Sequence, residues 1–205
     1  MTNFDEREKD WDSDPKKVER ARVVADAIRK TIPLSKNMNA LEYGCGTGLL
    51  SFALQSDLGQ ITLADTSQGM LDVLKEKIIA AGVSNMHPMR LDLATDPMPT
   101  ECYHLTYSLM TLHHIPDTKD ILNKFYALLE PSGYLLVADL DKEDGSFHTD
   151  GTTDVHKGFA HDELQKQVES GGFGNVTFST VYEIKKKING EEKTFPVFLM
   201  SARKI

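Results

Sequence analysis

Apolar positions recur at two different periods along this chain, and the switches between them outline alternating helices and strands. After Asp14-Pro15, which reads as an N-cap with proline at the first helical position, Val18, Ala21, Ala25, Ile28 and Ile32 recur at helical spacing as far as Pro33. The run ALEYG, residues 40–44, reads as a short apolar strand ending in glycine. LLSFALQS then resumes helical spacing, so the glycines join a strand to a helix. QITLAD predicts a second strand ending at Asp65. The segment SQGMLDVLKEKIIAAG predicts a helix with Met70, Leu71, Leu74 and Ile78 as its stripe and Gly82 as its C-terminal cap.

The alternation continues with strands near MHPMRLD and YHLTYS, a helix over TKDILNKFYALLE stopped by Pro131, and the apolar strand GYLLVADL. Five strands alternating with helices imply a parallel, right-handed, doubly wound α/β sheet. After Asp139 the texture changes to a long polar connection, DKEDGSFHTDGTTDVHKGF, of a length that marks functional or mobile segments in compact domains. A helix at HDELQKQVES stops at Gly171-Gly172. Two further strands, NVTFSTVYEIKKKI and KTFPVFLMSARK, joined through Asn189-Gly190, predict a closing β-hairpin.

At 205 residues the chain fits one domain, 1–205, with a core that needs no disulfide or structural metal. No apolar run approaches the roughly 18 to 20 residues of a membrane helix, and the acidic N-terminus MTNFDEREKDWDSD is unlike a signal peptide. A cytoplasmic protein without membrane association is expected. Cys45 and Cys102 lack metal-motif spacing and read as two small buried thiols in a reducing compartment. The net charge of −8 argues against a nucleic-acid partner, since counterion release needs a surface rich in Lys and Arg. The one basic cluster, Lys185, Lys186 and Lys187, reads as a solvated strand end.

The stretch LEYGCGTGLL carries the chemistry. A strand, a glycine-rich turn and a helix present backbone N–H groups and a helix N-terminus to a nucleotide-like, adenosine-containing ligand. A dinucleotide site expects G-x-G-x-x-G. Here the spacing is Gly44-x-Gly46-x-Gly48, one residue shorter, with Glu42 two residues before the first glycine.

LEYGCGTG resembles motif I of the class I S-adenosylmethionine (SAM)-dependent methyltransferases of the small-molecule type (methyltransferase domain 11/12-like). The resemblance runs from about Ala21 to Asp139 and implies a Rossmann-like, doubly wound seven-stranded sheet, mostly parallel, with an antiparallel C-terminal strand inserted between strands five and six. It implies SAM as cofactor. Gly44, Cys45, Gly46 and Gly48 would let it lie against the backbone, and Glu42 would act near its cationic end. Asp65, 21 residues after Gly44, would accept both ribose hydroxyls, which the two oxygens of a carboxylate suit. Thr66 follows it, and Met70 would face the adenine, with an ordinary core methionine as the alternative. Asp92 and Leu93 would meet the adenine ring, with a turn cap as the alternative for Asp92. YSLMTLHHIPD resembles motif IV, placing Ser108, Leu109 and Met110 at the methyl end; His104 departs from the Asp often found near the start of that strand. Residues 1–33 would form a lid and helix, with Phe4 or Trp11 closing over the cofactor.

A sulfonium methyl is already activated, so the protein's task is to align a nucleophile, exclude water and, where the nucleophile carries a proton, supply a base. His113 and His114 follow motif IV and read first as hydrogen-bonded structural residues. His148, His156 and His161, interleaved with Asp150 and Asp154 in the polar connection at 141–160, are suited to be a base, substrate ligands or a metal site, although their irregular spacing disfavours a metal. Phe147 and Phe159 would wall a pocket. His148, His156 and His113 are the catalytic candidates. The expected activity is methyl transfer to a small-molecule substrate by a monomer or weak homodimer. Methylation of a protein or peptide side chain, a non-catalytic SAM binder and, least favoured, a dehydrogenase are the other readings.

Overall fold

The computed structural model describes residues 8–148 and 155–205, with side chains from Trp11 onward. Seven strands, β1 (Ala40–Tyr43), β2 (Ile61–Asp65), β3 (Met86–Arg90), β4 (Tyr103–Leu109), β5 (Leu129–Leu140), β6 (Phe173–Ile188) and β7 (Glu191–Lys204), form one sheet. Their order is β3-β2-β1-β4-β5-β7-β6. The first five pair in parallel, and β7 runs antiparallel between β5 and β6. β1 is buried along its whole length, as a central parallel strand covered on both faces must be. The winding reverses between β1 and β4, and such a switch point opens a crevice at the carboxyl ends of the strands.

Among the described residues five α-helices cover the sheet: α1 (Pro15–Thr31), α2 (Leu49–Leu54), α3 (Gln68–Ala81), α4 (Thr118–Leu128) and α5 (His161–Ser170). α1 starts where its cap predicts, the Asp14 carboxylate accepting from Lys16 N–H at 2.9 Å, with Pro15 at the first position. Its buried face, Ala21, Val24, Ala25 and Ile28, follows the i, i+3, i+4, i+7 rule and shares a core with Leu50 and Leu54 of α2 and Leu71 and Leu74 of α3. On the other face of the sheet, Ile121, Leu122 and Phe125 of α4 pack with Leu164 and Val168 of α5.

Two expectations need correction. The helix expected to run through Glu130 ends at Leu128, because Leu129 already pairs with Tyr103 of β4 and the chain turns straight into β5. Cys102 is exposed in the approach to β4, whereas Cys45 is buried. The hairpin follows the sequence closely: Ile188 pairs with Glu191 across Asn189 and Gly190, both at positive φ. The polar connection leaves β5 and returns against it, Phe159 N–H donating to Leu140 O and Lys142 N–H to Phe159 O, both at 2.9 Å. Phe4, Asp150 and Asp154 lie outside the described residues. Among the described residues no helix is long and apolar enough to cross a membrane.

Candidate active site

The carboxyl ends of β1, β2 and β4 open into a cleft of about 930 Å³, roofed by α1 and the residues before it and flanked by β6. At its floor the chain turns from β1 into α2 through three glycines at positive φ, each for its own reason. A Cβ on Gly44 would fall 2.2 Å from Thr111 Cγ2, and one on Gly48 would fall 2.6 Å from Leu74 Cδ1. Those two glycines serve packing. A Cβ on Gly46 would project into the cleft, its nearest neighbour the Trp11 indole nitrogen at 4.0 Å, so here bare backbone lies open to the cleft.

Asp65, at the end of β2, ties this turn to the next helix. Its Oδ2 accepts from Gly46 N–H at 2.7 Å and its Oδ1 from Ser67 N–H at 2.9 Å. A carboxylate has two acceptor oxygens, and this one lies at the lining of the cleft. Thr66 and Met70 line the cleft beside it.

Glu42 is buried beneath the turn, where it accepts from the Ser51 hydroxyl; Ser51 Oγ in turn lies 2.6 Å from the Tyr107 hydroxyl. Burial pushes the Glu42 carboxyl up to about 8, against the lowering effect of the Ser51 hydrogen bonds. The turn is strapped from above by Asp12, which accepts from the Thr47 hydroxyl and pairs with Lys77, both at 2.5 Å, while Lys77 also donates to Thr47 O at 2.7 Å. Trp11 is thereby held over Gly46, with Lys17 Nζ 3.4 Å from its ring centroid. On the same roof Arg20 faces the cleft with its Nε buried and without a hydrogen-bond partner among the described residues. Burial draws its guanidinium below the ordinary value, against the attraction of Tyr182, Asp14 and Asp139.

Residues 40–133 match the family described as Methyltransferase domain. An uncharacterized methyltransferase of Schizosaccharomyces pombe is 36% identical over 119 residues, covering 54% of this chain and 42% of that protein. Over residues 40–133 the chain is therefore similar to methyltransferase domains. Solved structures show the same fold: a chain of the complex between the Haloferax volcanii Trm112 methyltransferase activator and its methyltransferase partner superposes with a TM-score of 0.77 at 15% identity, covering 100% of this chain and 98% of that one. Phosphoethanolamine N-methyltransferase 2 of Haemonchus contortus, in complex with S-adenosyl-L-methionine, superposes with a TM-score of 0.70 at 14% identity, covering 86% of this chain and 51% of that one. The chain spans less than half the length of the curated relatives it matches.

Of the residues expected to hold a cofactor, Glu42, Gly44, Cys45, Gly46, Asp65, Thr66, Met70, Asp92 and Trp11 all line the cleft. Burial pushes the Cys45 thiol well up, which keeps it un-ionised and inert. Asp92 also caps its own turn, accepting from Ala94 N–H at 2.9 Å. Leu93 is buried away from the cleft lining, its N–H donating to the Tyr43 hydroxyl at 3.1 Å. Ser108 is buried in β4, and its neighbours Leu109 and Met110 supply that wall instead. His104, at the far end of β4, accepts from Asn39 N–H at 3.2 Å and has no bearing on the cleft.

The histidines divide. His113, His114 and His148 line the cleft beside Phe147. His113 is held by Asp139 of β5: Nδ1 lies 2.6 Å from Asp139 Oδ1, and its backbone N–H donates to Oδ2 at 3.2 Å. His156 points elsewhere, its Nε2 3.0 Å from Ile115 O and its N–H donating to His113 O at 2.8 Å, so it buttresses the turn that carries His113. His161 pairs with Asp141 at 2.7 Å and stacks on Phe178. Asp139, Arg20, Asp12 and Thr111 are site residues the sequence reading did not single out.

Proposed function

We propose that this protein moves the methyl group of SAM to a small-molecule acceptor bound in the same cleft. The observation that carries the reading is the cleft itself: Asp65 and Gly46 at one end, three histidines at the other, within a volume suited to a cofactor and a small substrate together.

The residues present fit SAM. Gly46 leaves open space where a side chain would stand, Asp65 brings the paired oxygens of a carboxylate to the cleft lining, as a pair of ribose hydroxyls needs, and the orphaned Arg20 Nε suits the carboxylate of an amino-acid end. Glu42 lies below the turn, where an ammonium above it would favour its ionised form. When bound, SAM supplies an electrophilic carbon: the acceptor's lone pair forms the new bond as the carbon–sulfur bond breaks and its electrons return to sulfur. The chain's own groups orient and dry the site. Trp11 and the Asp12 strap close it from above, and Leu109 and Met110 wall the methyl end. His113 and His148 act on the acceptor. With Nδ1 held by Asp139, Nε2 is the ring nitrogen of His113 that this contact leaves available. His156 acts only by positioning His113.

The test is incubation of the protein with methyl-labelled SAM and cell extract, followed by separation of small molecules from macromolecules. Label among the small molecules is the expected result. Label in protein would replace the acceptor class with a side chain, and binding of SAM without transfer to any fraction would reduce the chain to a non-catalytic binder.

A further inference from the structure

We propose that His113, His114 and His148 bind one divalent transition-metal ion at the acceptor end of the cleft. One ring nitrogen from each lies within 4.8 Å of those from the other two. Around a tetrahedral zinc, with Zn–N bonds of ~2.0–2.1 Å, such nitrogens stand about 3.3 Å apart. Small χ rotations of the two partly exposed rings, His114 and His148, close that difference, while His113 stays fixed.

His113 is prepared for this role. Asp139 is fully buried, lies 2.6 Å from the His113 ring Nδ1 and accepts from His113 N–H and, at 2.7 Å, Leu140 N–H, so the carboxyl group is held in place and the ring orientation with it. A carboxylate behind a histidine is the arrangement that orients metal-bound imidazoles and raises their basicity. Phe147 stands edge-on to His113 at 6.3 Å and to His148 at 5.0 Å, giving the cluster an apolar backing. The donor set is three imidazoles and no carboxylate, which suits zinc, cobalt or nickel rather than magnesium or calcium. Three protein ligands also leave one position open toward the cleft, the pattern of a reactive metal site rather than a structural one. An acceptor atom with a lone pair, oxygen, nitrogen or sulfur, would take that position. Its part in the reaction rests on the methyl-transfer reading; binding of the ion does not.

The sequence hides this site because His113 and His114 follow β4 while His148 comes 34 residues after the second of them, on the connection that leaves β5. The neighbouring histidines of that connection, His156 and His161, are spent on structural contacts.

The test is titration of the chelator-treated full chain with zinc chloride by calorimetry and with cobalt chloride by visible absorption. The expected result is one equivalent bound, with the d–d bands of a tetrahedral cobalt site. Affinity should fall at least roughly tenfold in His114→Ala and His148→Ala and on the order of tenfold to a hundredfold in Asp139→Asn, and stay unchanged in His161→Ala. Absence of saturable binding, or equal affinity in wild type, His114→Ala and His148→Ala, overturns the proposal. Titration of the same samples with S-adenosylhomocysteine reports separately on the cofactor half of the cleft, so failure of one reading is distinguishable from failure of the other.

Discussion

The Asp65 carboxylate closes on Gly46 N–H at 2.7 Å, which fixes the middle of the glycine turn to the end of the neighbouring strand. One group thus shapes the floor of the cleft and also stands in its lining. Each expectation below follows from a similar double duty.

Glu42 gives the cleft a pH signature. Its folded-state value, near 8, is raised above the ordinary 4.5, so its contribution to stability is fully present below about pH 4.5 and is lost as pH rises through 8. In that window the folded state holds a proton the unfolded state has released, and this group lowers stability by at most about 1.4 kcal/mol per pH unit. Glu42→Gln should flatten that decline in denaturant unfolding measured from pH 5 to 8. SAM binding at pH 7 should release up to one proton in wild type and none from this site in the variant, read as a dependence of calorimetric enthalpy on buffer ionisation enthalpy.

Gly46 and Gly48 should fail in different ways. Gly48→Ala puts a Cβ against Leu74 at positive φ and should destabilise the fold by roughly 2–3 kcal/mol while leaving SAM affinity of the folded protein near wild type. Gly46→Ala pays only for its φ, about 1–2 kcal/mol, but places a methyl where bare backbone lies open to the cleft. Its SAM affinity should fall by at least roughly tenfold, since losing 1.4 kcal/mol suffices for that. Equal affinity losses in the two variants would remove Gly46 from the contact surface.

Asp12 holds the roof to the floor through Thr47 and Lys77. The pair is partly exposed and should be worth only about 0–1 kcal/mol to stability. Asp12→Ala should therefore leave the melting temperature nearly unchanged and speed SAM dissociation severalfold in stopped-flow displacement. An unchanged dissociation rate would show that the N-terminal segment does not retain the ligand.

His156 and His148 should separate by readout. His156→Ala removes a ring hydrogen bond to the Ile115 carbonyl and should cost about 1 kcal/mol, roughly 2–4 °C in melting temperature for a chain of this size. His148→Ala should lower kcat on the order of a hundredfold or more with little change in melting temperature. A larger kcat loss in His156→Ala than in His148→Ala would reverse the assignment.

Much of this arrangement is local and could be read from the chain. The turn at Gly44, Gly46 and Gly48 shows as a switch from strand to helical period, Asp65 closes the next strand, and Asp14-Pro15 announces α1. What escaped the reading depends on which distant segments meet. β4 pairs with β5, so Asp139 arrives beneath His113, and the connection after β5 brings His148 but not His156 to the same wall. The sequence put His156 beside His148 as a catalytic candidate, yet in the structure the ring of His156 turns to the Ile115 carbonyl, while His161 stacks on Phe178. Leu93 and Ser108 sit at motif positions, but Leu93 is held in the core by Tyr43, and Ser108 is buried because β4 is a central strand covered on both faces.

The central claim is that SAM occupies this cleft and is held by the Asp65 end of it. Calorimetric titration of wild type and Asp65→Ala with SAM, alongside NAD, tests it most directly. The account predicts saturable binding of SAM at one equivalent, none of NAD, and severe loss of SAM affinity in Asp65→Ala with the fold intact by circular dichroism. Unchanged affinity in the variant, or preference for NAD, would contradict it.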